Sequence, residues 1–127
     1  MTRVFKTRYF TRWMRKTQLD DKALCDAVLE MMQGLIDADI GGGIIKKRVG
    51  IAGRGKQGGA RTLLATNYDN HWFFVFGFQK NTRSNINSRE KEALKLLADD
   101  LLSMSATALD SACQRNELQE ICNEIKK

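Results

Sequence analysis

Six basic residues fall between positions 41 and 68: Lys46, Lys47, Arg48, Arg54, Lys56 and Arg61. No aspartate or glutamate falls among them. Cations gathered without carboxylates suit the binding and bending of a phosphodiester. They neutralise phosphate oxygens in the ground state and the further negative charge that develops as a 2′-hydroxyl attacks phosphorus. If residues 44–49 form a strand, side-chain alternation puts Lys46 and Arg48 on one face, and Arg61, opening the next strand, can project toward the same hollow. The intervening GIAGRGKQGG lets backbone approach a ligand closely, and Arg54 and Lys56 add charge without bulky neighbours. The same residues could instead solvate a loop and an exposed sheet face, and residue types alone leave both readings open.

Two phosphate-loop patterns in this loop fail on context. Residues 50–57 fit G-x-x-x-x-G-K, but Gln57 stands where a magnesium-holding Ser or Thr belongs. Residues 53–58 fit G-x-G-x-x-G. Both motifs need a helix directly after the loop, whereas ARTLLAT reads as a strand, and IIKKRV before it is too charged for the centre of a parallel sheet. His71, the only histidine, tempts as a general base. It begins a strand that ends near Lys80, so the two stand at opposite ends, roughly 30 Å apart, and His71 is read as structural. The aromatics Trp72, Phe73, Phe74, Phe76 and Phe78 could stack RNA bases, but one alternate set must face the core, and Trp13 joins it there.

The elements that must position these residues follow from periodicity. Residues 2–7 read as a short strand and 9–16 as a short basic amphipathic helix. Asp20 caps a second helix from 21 to about 33, with Leu24, Val28, Met32 and Leu35 on its apolar side and Gly34 as its stop. Strands are predicted over 44–49, 61–67 and 71–79, the last two joined by a tight turn at Tyr68-Asp69-Asn70. Asn87 and Glu90 make a capping pattern for a helix from 88 to about 103, with Leu94, Leu97 and Leu101 inward. Leu118, Ile121, Cys122 and Ile125 recur at helical spacing and predict a further amphipathic helix. The order implies an antiparallel meander with helices packed on one side.

Bulk properties set the frame. The 127 residues suit one domain, and 43% hydrophobic content supplies its core. The charge of +6 is segregated: residues 1–16 carry six basic side chains and no acid, while acids collect in 20–39 and 90–124. That sets up a positive face suited to a polyanion, with Arg12 and its neighbours as contacts to RNA phosphates or to an acidic partner. No run approaches a membrane span and the first residues lack a signal peptide's apolar segment, so a cytoplasmic protein with no membrane association is expected. Cys25, Cys113 and Cys122 show no C-x-x-C spacing and read as buried reduced thiols rather than a disulfide or zinc framework; no metal or cofactor is expected.

The stretch KKRVGIAGRGKQGGAR (46–61), followed by a strand pair and FQKNTRSNINSREKEALKLL (78–97), resembles the HigB-like branch of the RelE/ParE toxin superfamily. The specific parts are the glycine-rich loop ending in Arg61 and the pattern Lys80-Asn81-x-x-Ser84-x-Ile86-Asn87. The resemblance extends over about residues 1 to 103 in element order and 44 to 97 in recognisable residues. It implies an α+β, RelE-like fold: two N-terminal helices and a C-terminal helix on a small, mainly antiparallel curved sheet, in the order β-α-α-β-β-β-α with an extra C-terminal helix. A toxin domain over 1–104 and a helical extension of the same domain over 105–127 are expected. It further implies a type II toxin, a metal-independent, ribosome-dependent endoribonuclease acting on messenger RNA, restrained by an antitoxin of helix-turn-helix type.

By position, the resemblance carries over Lys46, Arg48, Arg61, Lys80 and Arg83. Joined to Lys56 and Arg54 of the cationic loop and to Arg12 of the basic N-terminal stretch, they give Arg48, Lys56, Arg61 and Lys80 as catalytic and Lys46, Arg54, Arg83 and Arg12 as nucleic-acid contacts. RelE has a tyrosine entering the last helix where this chain has Asn87, and no acid or histidine takes the role of general base. A lysine whose pKa is lowered by neighbouring cations is a candidate. A ParE-like gyrase poison and a non-catalytic basic RNA- or DNA-binding module remain the alternatives.

Overall fold

Local signals place the first three helices where the spacing predicts them. The computed structural model describes residues 2–51 and 55–123, and for 55–58 the backbone alone. Strand β1 (Arg3–Thr7) leads directly into helix α1 (Arg8–Met14), whose N-cap Thr7 accepts from Phe10 N. Helix α2 (Asp21–Met32) starts at Asp20, whose carboxylate accepts from Ala23 N at 2.9 Å, and the chain turns away through Gly34 at φ +91°. Four strands follow: β2 (Ala38–Gly41), β3 (Ile44–Ile51), β4 (Gly55–Thr66) and β5 (His71–Gln79). Helix α3 (Ser88–Leu102) opens on the full Asn87–Glu90 capping box. Helix α4 (Ala106–Gln114) and strand β6 (Leu118–Ile121) complete the order.

The strands form one six-stranded sheet, β2-β3-β4-β5-β1-β6. Only β1 against β5 is parallel; every other pairing is antiparallel, so the sheet is mixed within an α+β fold. Bulges interrupt β4 against β5 at Leu63/Leu64 and β3 against β4 between Val49 and Ile51. Gly59 is fixed by the β3 backbone: a Cβ there would lie 2.0 Å from the Val49 carbonyl oxygen, so the glycine serves strand-to-strand approach.

Three expectations are corrected. Helices cover both faces of the sheet rather than one. Ile45, Leu64, Trp72 and Phe74 pack with α1 and α2, while their neighbours Ile44, Leu63, Ala65 and Phe73 pack with α3 and α4. Both alternate sets of β5 aromatics are therefore buried, apart from the half-buried Phe76. Next, β2 was not foreseen, and the predicted final helix is instead α4 followed by β6. Leu118 and Ile121 mimic a helical repeat, but pairing of 118–121 with β1 decides the backbone. Finally, Cys25 and Cys122 form a disulfide across 97 positions, where buried thiols were expected. With β6 extended, Cys122 comes to rest against α2, a juxtaposition that local spacing cannot reveal. Cys113 is a free thiol whose pKa is pushed up by burial. No helix among the described residues is long and apolar enough to cross a membrane.

Candidate functional site

Strand alternation sorts the Lys46-Lys47-Arg48 run to opposite faces. Lys47 faces α2, 3% exposed, with Nζ 2.7 Å from Glu30 and 2.8 Å from the Leu35 carbonyl. Lys46 and Arg48 face the α3 side. In register across the sheet, Arg48 lies beside Arg61 and Arg61 beside Phe78, giving one row across β3, β4 and β5. Lys46 reaches forward to the segment before α3, donating to Asn85 Oδ1 at 3.0 Å.

The row has unusual electrostatics. Two arginines directly opposite on neighbouring strands repel. Arg48 is partly compensated, its Nε donating to Asp37 Oδ1 at 2.9 Å while its backbone N–H meets Oδ2. Arg61 is 9% exposed, and its Nη1 is buried with no hydrogen-bond partner among the described residues. A buried cationic donor left without an acceptor is costly, and an oxyanion seated there would relieve it.

Around this row the segment after β5 folds back. Lys80 leaves the sheet two residues past Phe78, exposed, at the same end as the arginine row. Arg83 is held over the rings of Phe76 and Phe78 at 5.9 and 5.6 Å and paired through both terminal nitrogens with Glu90. Its charge is thus largely offset, and the Arg83 guanidinium together with Asn87 N–H holds the Glu90 carboxyl below its ordinary pKa. Asn87 itself is spent on the cap, accepting from Glu90 N at 2.8 Å.

One member was missed by sequence reasoning. Tyr9, 58% exposed at the start of α1, stacks almost parallel on Phe76 with centroids 5.7 Å apart. It extends the Arg61–Phe78–Arg83 surface with an open aromatic face. Phe10, fully buried, takes the core position at the start of α1 and leaves Tyr9 outward.

The other expected residues separate from this cluster. Arg12 lies on α1 in a groove against the α4–β6 connection, away from the row. Arg54 falls outside the described residues, and of Lys56 only the backbone in β4 is described. His71 sits at the far end of the sheet in register with Arg3; burial, then the Arg3 charge, pushes its imidazole below its ordinary pKa. The segment after the glycine-rich loop is strand β4, as expected, and not the helix that a phosphate-loop motif requires there. Among the described residues no three His, Cys, Asp or Glu side chains gather as a metal site would require.

The arrangement is a cationic, aromatic-flanked surface able to hold a phosphodiester and stack a base. No curated protein sequence matches the chain. A family model described as the RelE toxin of the RelE/RelB toxin–antitoxin system matches residues 2–121, nearly the whole chain, and the protein therefore belongs to the RelE toxin family, toxins that have an antitoxin as partner.

Proposed function

We propose that this toxin is an endoribonuclease of HigB-like type that cuts messenger RNA on the ribosome, in the cytoplasm, and is silenced by a helix-turn-helix antitoxin. The observation that carries this reading is Arg61: a nearly buried guanidinium whose Nη1 has no partner among the described residues, flanked by Arg48 and by Phe78. In the reaction, the substrate's 2′-oxygen bonds to phosphorus while the bond to the 5′-oxygen breaks. The products are a 2′,3′-cyclic phosphate and a 5′-hydroxyl; one proton leaves the 2′-oxygen and one reaches the departing 5′-oxygen. The nucleophile belongs to the RNA, so the protein's task is charge stabilisation and orientation.

Arg61 and Lys56 stabilise the crowded, more negative phosphorus centre. Lys46 and Arg48 hold the flanking phosphate, Arg54 adds a backbone contact, Arg83, spent on Glu90, orders the segment beside Phe76 and Phe78, and Lys80, at the open end of the row, assists charge or proton transfer. Tyr9 offers its open face to the base beside the cut.

Induced expression followed by primer-extension mapping of messenger ends tests this. Discrete cuts in translated messages, abolished by Arg61→Ala, are expected. Growth arrest with intact messages and a DNA-damage response would refute it in favour of a gyrase poison, and harmless expression with salt-sensitive RNA binding would refute it in favour of a plain binding module.

A further inference from the structure

The connection between α2 and β2 delivers one carboxylate to the arginine row. Past Gly34 the turn is closed by its own backbone, with Leu35 N–H donating to the Glu30 carbonyl at 3.0 Å and Ile36 N–H to the Gly34 carbonyl at 3.1 Å. Asp37 N–H then donates to the Lys46 carbonyl at 3.0 Å, one residue before β2 begins, so Asp37 is seated against β3 without help from its side chain. Its carboxylate is left for Arg48 and divides between two parts of that residue. Oδ2 accepts from the Arg48 backbone N–H at 2.6 Å and Oδ1 from Nε at 2.9 Å. Bridging main chain and guanidinium at once fixes how Arg48 leaves the strand, where a lone ion pair would fix only the far end. Among the described residues, no carboxylate but that of Asp37 is bonded to Arg48 or Arg61.

This bond does for the row what two arginines cannot do alone. Arg48 and Arg61 stand directly opposite on neighbouring strands, where like charges repel, and a half-exposed arginine left to itself would turn its charge to water. Asp37 takes Nε, the inner donor of the fork, and among the described residues neither terminal nitrogen of Arg48 has a partner. That is the edge that meets phosphate oxygens in pairs. Stability is not what the bond supplies, because an ion pair this exposed adds little to folding. It supplies registration. With Arg48 fixed on the flanking phosphate, the next phosphorus along is set against Arg61, and a misplacement of about 1 Å there costs up to about 100-fold in rate.

We propose that Asp37 is a positioning residue for RNA cleavage: it holds the Arg48 guanidinium beside that of Arg61, so that the flanking phosphate is gripped with the attacked one in place. The inference rests on the reading that this toxin cuts RNA, and adds to it the residue that orders the row. Asp37 touches no reacting atom and acts through Arg48. The sign of its charge separates this role from substrate binding, since a carboxylate beside an RNA site repels the substrate. Its removal leaves binding unharmed or tighter while turnover falls.

The test measures cutting of a labelled messenger RNA on programmed ribosomes by the full chain, over a range of ribosome concentrations. Asp37→Asn should lower kcat about tenfold with KM unchanged or reduced, and Asp37→Ala, which loses both acceptors, should lower kcat further. In an Arg48→Ala background the same Asp37→Asn change should alter kcat by less than about twofold, because the group it positions is gone. Heteronuclear NMR spectra of the arginine side chains read the clamp without RNA. The Arg48 Nε–H, assigned by its absence from Arg48→Lys, should exchange slowly with water in the wild type and faster in Asp37→Ala. A wild-type kcat in Asp37→Asn overturns the proposal, as does a raised KM at unchanged kcat, or a loss of equal size with and without Arg48. Fast exchange of the Arg48 Nε–H in the wild type overturns it too, whatever the stability of the variants. If the wild type cut no RNA, the nuclease reading would fail, while a protected Nε–H released by Asp37→Ala would uphold the clamp on Arg48.

Discussion

The two faces of the sheet treat identical side-chain chemistry in opposite ways. On the α2 face, Lys47 is locked to Glu30 and Lys6 to Asp21 at 2.7 Å, both lysines almost fully buried, and Cys25 is bonded to Cys122. Among the described residues of the α3 face, Lys46 has only an amide partner, Arg48 a half-exposed carboxylate pair, and Arg61 a donor with nothing to bind. Lys46 and Lys47 are adjacent in sequence, and a single step of strand alternation separates a buried, ion-paired cation from one held only by an amide. The lesson is that charge density along a chain says little until each charge's counter-ion is known.

If that division holds, substitutions should separate cleanly into losses of stability and losses of activity. The largest effect belongs to the α2 face. Replacing Cys122 by Ser releases a loop of 97 positions, and urea unfolding should show a loss of about 4–5 kcal/mol, with cleavage per folded molecule unchanged. Next, Arg61→Ala should slow messenger cleavage about 100-fold or more, roughly 2.7–4 kcal/mol of transition-state stabilisation, while the protein still melts cooperatively. A variant that unfolded instead would mean the two faces are not separable. Lys47→Met removes the buried ammonium from Glu30 and from the Leu35 carbonyl and should cost about 1–3 kcal/mol in urea unfolding with near-normal cutting. A strong activity loss there would break the comparison.

Smaller effects sharpen it. Tyr9→Ala should lower cleavage on the order of tenfold and blur the choice of cut site, and Tyr9→Phe, which keeps the stack, should restore both in the same mapping assay. The smallest effect concerns acid. The Glu90 carboxyl is held low by Arg83 and by the cap, so its contribution is fully present above the ordinary glutamate range and is lost as pH falls through the depressed value. Circular dichroism of the wild type should show α3 loosening on acidification below that range, and Glu90→Gln should lack this component.

Much of this was legible in the chain itself because it depends on neighbours in sequence. Asp20, Gly34 and the Asn87–Glu90 box fix helix ends within a few residues, and HWFFVFGFQ can only be a strand packed on both sides or one. The pairing of Arg48 with Arg61 follows from a short connection between two strands, so the heart of the candidate site could be read in advance. What could not be read depends on distant partners. Strand β2 is four half-exposed residues that exist as a strand because β3 lies beside them. Strand β6 carries a helical spacing overruled by β1, and the disulfide follows from β6. Tyr9 escaped for a related reason: its neighbour Phe76 is remote in sequence, and exposure alone gave it no signature.

The placement of β1 has a bearing on how this toxin comes into being. Strand β1 is made before both strands that flank it: Arg3 waits for His71 and Val4 for Ile121. Until the chain reaches that point, Phe5 has no roof of Leu109 and Leu118 and the sheet has no sixth member. Assembly therefore finishes late, and contacts spanning almost the full chain make it slow. A polypeptide interrupted before residue 118 would carry every cation of the candidate site on an unfinished scaffold, one strand short of the complete sheet.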